Sequence, residues 1–208
     1  MTRHPLLVAS NNPHKIAELT ALLADLPVRL LRPADLGLAL AVEETGPTYA
    51  HNALAKARAG ASQSGLLCLA DDSGLEVMAL GGRPGVHSAR YGGPGRSDAE
   101  RVALLLQELA CTGDPDRRAR FVCVLALATP DGESHLGIGT VEGLIADQPR
   151  GAHGFGYDPV FLLPDLGRTL AELPPSEKNR WSHRARAVQA LRPLLRLILA
   201  GTPPASAR

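Results

Sequence analysis

Lysine is scarce in this chain, and each of the few lysines lies close to an asparagine in the sequence. Of 22 basic residues, 19 are arginine and three are lysine, namely Lys15, Lys56 and Lys178. An ammonium is a compact point charge whereas a guanidinium is a wide planar fork, so we interpret the lysines as sites where only the former fits, such as crowded phosphate oxygens. Chance scatter is the alternative. The asparagines are Asn11, Asn12, Asn52 and Asn179.

The chain also lacks an excess of charge of one sign, long apolar runs and paired cysteines. The net charge of +1 and the absence of a long basic run give no field that would attract nucleic acid. The opening MTRHPLLVASNN turns polar too soon for a signal peptide or a membrane span. The three cysteines show no CxxC spacing, which favours buried free thiols and a reducing cytoplasm over disulfides or zinc. At 208 residues we expect one domain with one good core, followed by a frayed tail at 201–208.

Residues 10–15, SNNPHK, predict a strand-to-helix turn. They follow the short apolar strand of residues 5–10, and Pro13 suits the first position of a helix. A helix N-terminus with a lysine in its first turn is suited to binding an anion, although ordinary capping is the alternative. No Gly-Lys-Ser/Thr motif occurs, so this turn is not a Walker loop.

Two pairs of adjacent carboxylates each follow a segment that predicts a strand. LALAV precedes Glu43-Glu44, and the apolar run LLCLA, which predicts a buried strand, precedes Asp71-Asp72 at a predicted turn. Such strand ends are where open α/β sheets keep their sites. Adjacent strand residues point to opposite faces, so we expect one aspartate to face a ligand and the other a structural partner. A helix over about 48–64 could turn Lys56 toward the same place. The alternative is a solvated charged rim.

Two C-terminal segments carry further polar and aromatic side chains. Residues 151–158, GAHGFGYD, form a glycine-rich loop with Phe155 and Tyr157 in a chain that is 3% aromatic. These rings could stack on a base or plug the edge of the core. Residues 176–186, SEKNRWSHRAR, are predicted to lead into a last helix with Ser182 as its N-cap, and Pro193 should kink or restart that helix.

Five blocks taken together resemble one family. In this order they are SNNPHK, EETGPTYAHNALAKA, ADDSGLEVMALGGRPGVHSARYGG, GFGYDPVF and EKNRWSHRARA, and they are similar to the inosine triphosphate pyrophosphatase family. The resemblance implies an α/β fold with an elongated mixed central sheet flanked by helices, forming one two-lobed domain over residues 1–200 around a nucleotide cleft. It also implies a homodimer and magnesium-dependent hydrolysis of ITP, dITP and XTP to nucleoside monophosphate and pyrophosphate.

The same resemblance assigns roles to individual residues. Asp72 would be the proton acceptor and, with Glu44 or its neighbour Glu43, would hold the metal. Two departures occur: His51 replaces a usual acid, and Asn11 replaces a common glycine, which bears on the geometry of the first turn. The implied nucleotide-binding residues are Ser10, Asn11, Asn12, Pro13, His14, Lys15, Lys56, Ser73, Phe155, Gly156, Tyr157, Asp158, Lys178, His183 and Arg184.

The chemistry suggested by the residues agrees with this implication. Oxygen-rich carboxylate sites suit magnesium, and a carboxylate beside a metal-activated water can take its proton. We therefore expect Asp72 to face the metal and Asp71 to face away or to support it. We expect no nucleic-acid or membrane partner. Two alternatives stay open: a septum-inhibitor-type nucleotide pyrophosphatase of other specificity, and a nucleotide-binding regulator that does not hydrolyse.

Overall fold

In the computed structural model, which describes residues 3–201, strands and helices alternate along the first half of the chain. The tail predicted to fray lies outside the described residues from residue 202 onward. The strands are β1 (His4–Val8), β2 (Val28–Leu31), β3 (Cys68–Val77), β4 (Arg118–Ala128), β5 (Ser134–Ile145), β6 (Phe161–Leu163) and β7 (Arg168–Thr169). The α-helices are α1 (Pro13–Leu22), α2 (Tyr49–Ser64), α3 (Asp98–Thr112), α4 (Pro175–Trp181) and α5 (His183–Leu199).

The strands form a mixed sheet in the order β2-β1-β3-β4-β5-β6-β7. Strand β1 pairs in parallel with β2, where Leu6 lies opposite Leu30, and with β3, where Val8 lies opposite Leu69. Strand β6 pairs antiparallel with β5 and β7. The predicted class, a mixed sheet flanked by helices, is confirmed.

The chain divides into two compact units. Unit 1 comprises Met1–Asp72, Cys123–Gly139 and Arg184–Arg208, and unit 2 comprises Ser73–Val122 and Thr140–His183. Each unit has a hydrophobic core of its own. In unit 1 the core joins strand residues such as Leu6 and Leu125 to helix residues such as Leu19 and Leu191. The core of unit 2 includes Leu75, Leu105, Phe121, Tyr157 and Phe161.

In unit 1, helices cover both faces of the strands. Leu6 and Val8 belong to the core that α1 and α5 share. Leu7, which alternation points to the opposite face, lies near Gly60 of α2. A Cβ added at Gly60 would stand 2.5 Å from Cys68 Sγ, so only glycine lets this helix approach so closely. On β1 and β3, residues of one face therefore contact α2, and residues of the other face contact α1 and α5.

Local sequence signals explain where the helices begin. Asn12 caps α1 ahead of Pro13, and the Thr48 hydroxyl caps α2 by accepting from the His51 N–H at 3.2 Å. Ser97 and Glu100 form a capping box at α3. The starts predicted for α1 and α2 are confirmed.

The structure corrects the strand predicted at LALAV. Residues 38–42 form no regular structure, although they alternate between exposed and half-buried positions. None of the five is fully buried, and small alanines have little to pack across a sheet. Glu43 and Glu44 therefore lie in a loop rather than at a strand end.

The predicted turn at Asp71-Asp72 is also wrong. Strand β3 runs through both aspartates and continues to Val77. Leu75 and Val77 are fully buried in the core of unit 2, and their burial favours continued pairing of the strand. Both aspartates have cationic or amide partners inside the protein, so burying them inside a strand is tolerated.

Two smaller expectations are wrong, and one is resolved in part. Lys178 and Asn179 lie in the separate helix α4, because extended backbone at Ser182 ends that helix before α5 begins at His183. Helix α5 runs through Pro193 without a restart, since the buried neighbours Leu191 and Leu195 hold it against the core, and the predicted kink stays a prediction. Of the three free cysteines, Cys111 is exposed and the other two are buried. Within residues 3–201, every helix is too short or too polar to cross a bilayer.

Candidate active site

Asp71 lies at the centre of a buried charge network in unit 1. Its Oδ2 accepts from Arg184 Nε at 2.8 Å, and its Oδ1 contacts the Lys15 ammonium. Arg184 also contacts the carboxylate of Glu18. Burial alone would raise the pKa of Asp71, but the charges of Arg184 and Lys15 outweigh it and hold this pKa well below the ordinary value. Asp71 therefore carries its negative charge at neutral pH and ties α1 and α5 to β3.

Cys123 completes the surroundings of Asp71. Its thiol donates to Asp71 Oδ2 at 3.1 Å, and both residues are fully buried. Burial, followed by the negative charge of Asp71, raises the pKa of this thiol well above its ordinary value. Cys123 is therefore a neutral donor.

Asp72 points to the opposite face of β3 and meets helix α2. The amide Nδ2 of Asn52 donates to its Oδ2 at 3.0 Å, and Lys56 Nζ lies 3.8 Å from its Oδ1. Burial raises the pKa of Asp72 above its ordinary value even though Lys56 and Asn52 act in the other direction. The two adjacent aspartates thus sit in opposite environments, as strand alternation predicted.

Lys56 joins Asp72 to the loop that carries the other carboxylates. Its ammonium contacts the carboxylate of Glu44 and donates to the backbone carbonyl of Asp71 at 2.7 Å. Glu44 is half-buried, whereas its neighbour Glu43 is exposed. Two carboxylates therefore surround one cationic group, and these hard oxygen donors suit magnesium, which takes only one or two protein carboxylates. Residues 3–201 contain no cluster of three or more His, Cys, Asp or Glu that could hold a metal ion.

The turn at residues 10–15 sits at the start of α1, as predicted. Asn12 Oδ1 accepts from the backbone N–H groups of His14 at 2.9 Å and Lys15 at 3.2 Å, and Ser10 Oγ accepts from the Asn12 N–H. The cap thus uses amides that an anion would otherwise bind. Asn11, Pro13 and His14 are exposed. The phosphate-binding role of this turn stays a prediction.

In unit 2, the glycine-rich loop is held by two carboxylates. Asp158 Oδ2 accepts from the Phe155 N–H at 2.8 Å, and Asp98 Oδ2 accepts from the Gly156 N–H at 2.6 Å. Gly154 has φ +74°, and a Cβ there would stand 2.1 Å from Asp158 Oδ2. Only glycine fits this position, so the loop conformation is specified by sequence.

The two aromatic rings of this loop differ in burial. Tyr157 belongs to the core of unit 2 and donates its hydroxyl to the Ser88 carbonyl at 3.0 Å. Phe155 is half-buried, and Lys178 Nζ lies 4.8 Å from its ring centroid. Lys178 also pairs with Asp158 at 2.5 Å, and both are buried. Phe155 is therefore the ring with a face suited to stacking.

The remaining predicted residues have different surroundings. His183 is buried, and its ring stacks on Phe121 with centroids 4.6 Å apart. Arg184 is fully buried in the Asp71 network, so its predicted contact with a nucleotide stays a prediction beside an observed ion pair. Ser73 follows Asp72 on β3 and is half-buried.

Sequence reasoning missed the roles of three residues, Glu18, Asn52 and Cys123. Glu18 lies one helical turn after Lys15, a spacing that places both on one face of α1 and could have indicated that both join one charge network, Lys15 through Asp71 and Glu18 through Arg184. Asn52 stood out as one of four asparagines, but nothing in its spacing showed that it meets Asp72. The approach of Cys123 to Asp71 depends on strand pairing and leaves no sequence signal.

Comparison with known proteins identifies the class. The model of the Ham1 family matches residues 6–194, and the chain belongs to this family. A dITP/XTP pyrophosphatase of Thermus thermophilus is 50% identical over 199 residues, which cover 96% of this chain and 94% of that protein. A dITP/XTP pyrophosphatase of Bordetella pertussis is 50% identical over 196 residues, covering 92% and 91%. The resemblance found in the five motifs is confirmed.

Solved structures agree with the sequence comparison. A HAM1 protein from Coxiella burnetii is 44% identical with a TM-score of 0.86, and the match covers 94% of this chain and 99% of that one. A nucleoside-triphosphatase / dITP/XTP pyrophosphatase from Mycobacterium abscessus is 48% identical with a TM-score of 0.73, covering 91% and 99%. The fold of this chain is therefore that of its relatives.

Proposed function

We propose that this protein hydrolyses the non-standard purine nucleoside triphosphates ITP, dITP and XTP to the nucleoside monophosphate and pyrophosphate, and so removes them from the nucleotide pool. The observation that carries the proposal is the arrangement of Asp72, Glu44 and Lys56, two carboxylates around one ammonium on the α2 face of β3. Relatives about 50% identical over nearly the whole chain are dITP/XTP pyrophosphatases, which supports the substrate class.

Asp72 is the proposed proton acceptor. Hydrolysis of the α-β phosphoanhydride requires a water at the α-phosphorus to lose a proton as it attacks. Burial raises the pKa of Asp72 above the ordinary value and so makes it a stronger base than an exposed aspartate. Asp71 cannot share this role because Lys15 and Arg184 already compensate its charge.

Lys15 and Lys56 are the proposed partners of the triphosphate. Both ammonium groups are largely buried and contact carboxylates. When the triphosphate binds, we expect each to contact phosphate oxygens as well. The SNNPHK turn adds the polar groups at the start of α1.

Magnesium is the proposed cofactor, with Asp72 and Glu44 as its protein ligands and Glu43 as a less buried alternative. When bound, it would neutralise phosphate charge and lower the pKa of a coordinated water. The carboxylates of Asp72 and Glu44, which lie next to Lys56, fit this ion. Magnesium usually takes only one or two protein carboxylates, and waters and substrate phosphates complete its coordination shell.

Residues of unit 2 are proposed to bind the nucleoside. Phe155 offers a ring face for the purine, and Lys178 with Asp158 fixes the loop behind it. His183, one of the implied nucleotide-binding residues, is the proposed contact that distinguishes a six-oxo purine, because an imidazole N–H can donate to that oxygen. We further propose a homodimer in a reducing cytoplasm, the latter supported by the three free thiols.

Pyrophosphate release tests the proposal. With magnesium present, we expect release from ITP, dITP and XTP at least about a hundredfold faster than from ATP. Release that favours a standard or pyrimidine nucleotide would support the septum-inhibitor-type alternative. Binding of ITP without release would support the regulator. The variant Asp72→Asn should retain the fold and lower kcat by about a hundredfold or more.

A further inference from the structure

The side-chain amide of Asn52 makes two hydrogen bonds, one through its oxygen and one through its nitrogen. Its Oδ1 accepts from the Gly46 backbone N–H at 2.8 Å, and its Nδ2 donates to Asp72 Oδ2 at 3.0 Å. The backbone N–H at Gly46 can only donate, so the oxygen of the amide must face it and the nitrogen must face Asp72. The side chain is 1% exposed. Its orientation is thus fixed by its two partners.

These two bonds reach both segments that carry the proposed metal ligands. Gly46 belongs to the Glu44 loop, which we define as residues 43–47, and Asp72 belongs to β3. The Glu44 loop contains no regular structure. Asn52 therefore supplies an anchor inside the protein to a loop that has no helix or sheet to hold it.

Lys56 lies one turn after Asn52 on the same face of α2. It contacts Glu44 and lies 3.8 Å from the Asp72 oxygen that Asn52 does not touch. The amide therefore binds one oxygen of Asp72 and leaves the other directed toward the cation. One helix face thus arranges both carboxylates.

We infer that Asn52 is a positioning residue, which holds Asp72 and the Glu44 loop so that their carboxylates face one cation. This inference rests on the proposed function, because it extends the role of the same two carboxylates. Groups that orient the ligands of a metal commonly change metal affinity or activity tenfold to a hundredfold when they are removed. Asn52 is not itself among the proposed ligands of the substrate or the metal.

Gly46 provides an independent way to disturb the same arrangement. A Cβ added there would stand 2.6 Å from Asn52 Oδ1 and 2.6 Å from the His51 ring. Its backbone φ is not in the left-handed region, so alanine is compatible with the backbone itself. Gly46→Ala should therefore act by displacing the Asn52 amide or the Glu44 loop.

The test compares Asn52→Ala and Gly46→Ala with the parent and with Leu54→Ala, a half-buried residue of the same helix. Hydrolysis of dITP gives kcat and KM, and thermal unfolding gives Tm. Mn2+ is titrated into the protein in the presence of the α,β-methylene analogue of dITP. Electron paramagnetic resonance then measures metal binding without turnover. For Asn52→Ala we expect kcat lower by about tenfold to a hundredfold, KM within about twofold, and Mn2+ bound about tenfold more weakly. Gly46→Ala should show the same changes to a smaller degree.

Leu54→Ala should lower Tm and leave kcat and Mn2+ binding at parental values. A parental kcat and Mn2+ affinity in Asn52→Ala would overturn the inference, as would losses in Leu54→Ala that match those of Asn52→Ala. A parent that releases no pyrophosphate from dITP would overturn the proposed function instead. In that case the Mn2+ titration alone decides whether Asn52 positions the carboxylates.

Discussion

The guanidinium Nε of Arg184 lies 2.8 Å from Oδ2 of Asp71, although 113 residues separate the two in the chain. Both side chains are fully buried, and Asp71 precedes the proposed catalytic residue Asp72. The ion pair fixes the backbone of β3 from the face opposite to α2. Removing either partner leaves a buried charge without its main compensation.

Arg184→Met should therefore act mainly on stability. Breaking a buried ion pair costs about 3–5 kcal/mol, which corresponds to a fall in Tm of roughly 10 °C for a chain of this length. Thermal unfolding measures this fall, and turnover of ITP and ATP should decline together. If Tm stays parental while the ratio of ITP to ATP turnover falls toward one, Arg184 contacts the base and this interpretation of the ion pair is wrong.

Asp71→Asn should show a characteristic dependence on pH. The folded pKa of Asp71 is depressed below its unfolded value, so its stabilisation is present above about pH 4 and is lost as the pH falls toward the folded pKa. Urea unfolding should show a gap of about 3 kcal/mol between parent and variant at pH 7, narrowing toward pH 3. Asp116→Asn, which breaks an exposed pair with Arg118, is the control and should change little. A gap that is constant with pH would contradict the assignment.

Lys15→Arg and Lys56→Arg preserve charge and change shape. Each ammonium contacts a carboxylate in a confined position, with 16% and 12% of its side chain exposed. A guanidinium fork should displace these carboxylates, so kcat/KM for dITP should fall by about tenfold to a hundredfold. The reverse substitution Arg58→Lys, on the exposed face of α2, should leave kcat/KM unchanged. Parental rates in both variants would mean that the scarcity of lysine is coincidence.

Phe155→Ala tests the stacking surface of unit 2. Loss of a ring that stacks on a base costs about 1–3 kcal/mol, so KM for ITP should rise about tenfold or more while kcat changes less. Steady-state kinetics measure the two constants. Tyr91→Phe, which keeps a ring of unit 2 and removes only the hydroxyl that donates to Glu108, should leave KM at the parental value. An unchanged KM in Phe155→Ala would exclude stacking.

Much of the fold could be predicted because local signals are strong in this chain. Pro13 and Thr48 mark helix starts, and strand alternation gave opposite roles to Asp71 and Asp72. The predicted turn after Asp72 failed because cationic partners from distant segments make buried aspartates acceptable within a strand. LALAV failed because none of its five residues is fully buried, so its alternating pattern gives no face that packs into a core.

The site was less predictable than the fold. The motifs indicated which side chains matter, but the partners of those side chains depend on contacts across the chain. Arg184 illustrates this, because the family resemblance implied a nucleotide contact while its guanidinium reaches Asp71 and Glu18. Asn52 illustrates the converse, since a residue without an assigned role contacts Asp72 directly.

The bond that is cleaved tests the proposed chemistry most directly. Hydrolysis of dITP in water enriched in 18O, with magnesium present, can be followed by mass spectrometry of the products. Attack at the α-phosphorus should give dIMP and pyrophosphate in equal amounts, with one 18O in dIMP and none in pyrophosphate, and Asp72→Asn should form this labelled dIMP about a hundredfold or more slowly. Formation of dIDP and phosphate, label in pyrophosphate, or formation of labelled dIMP by Asp72→Asn at the parental rate would contradict the proposed chemistry.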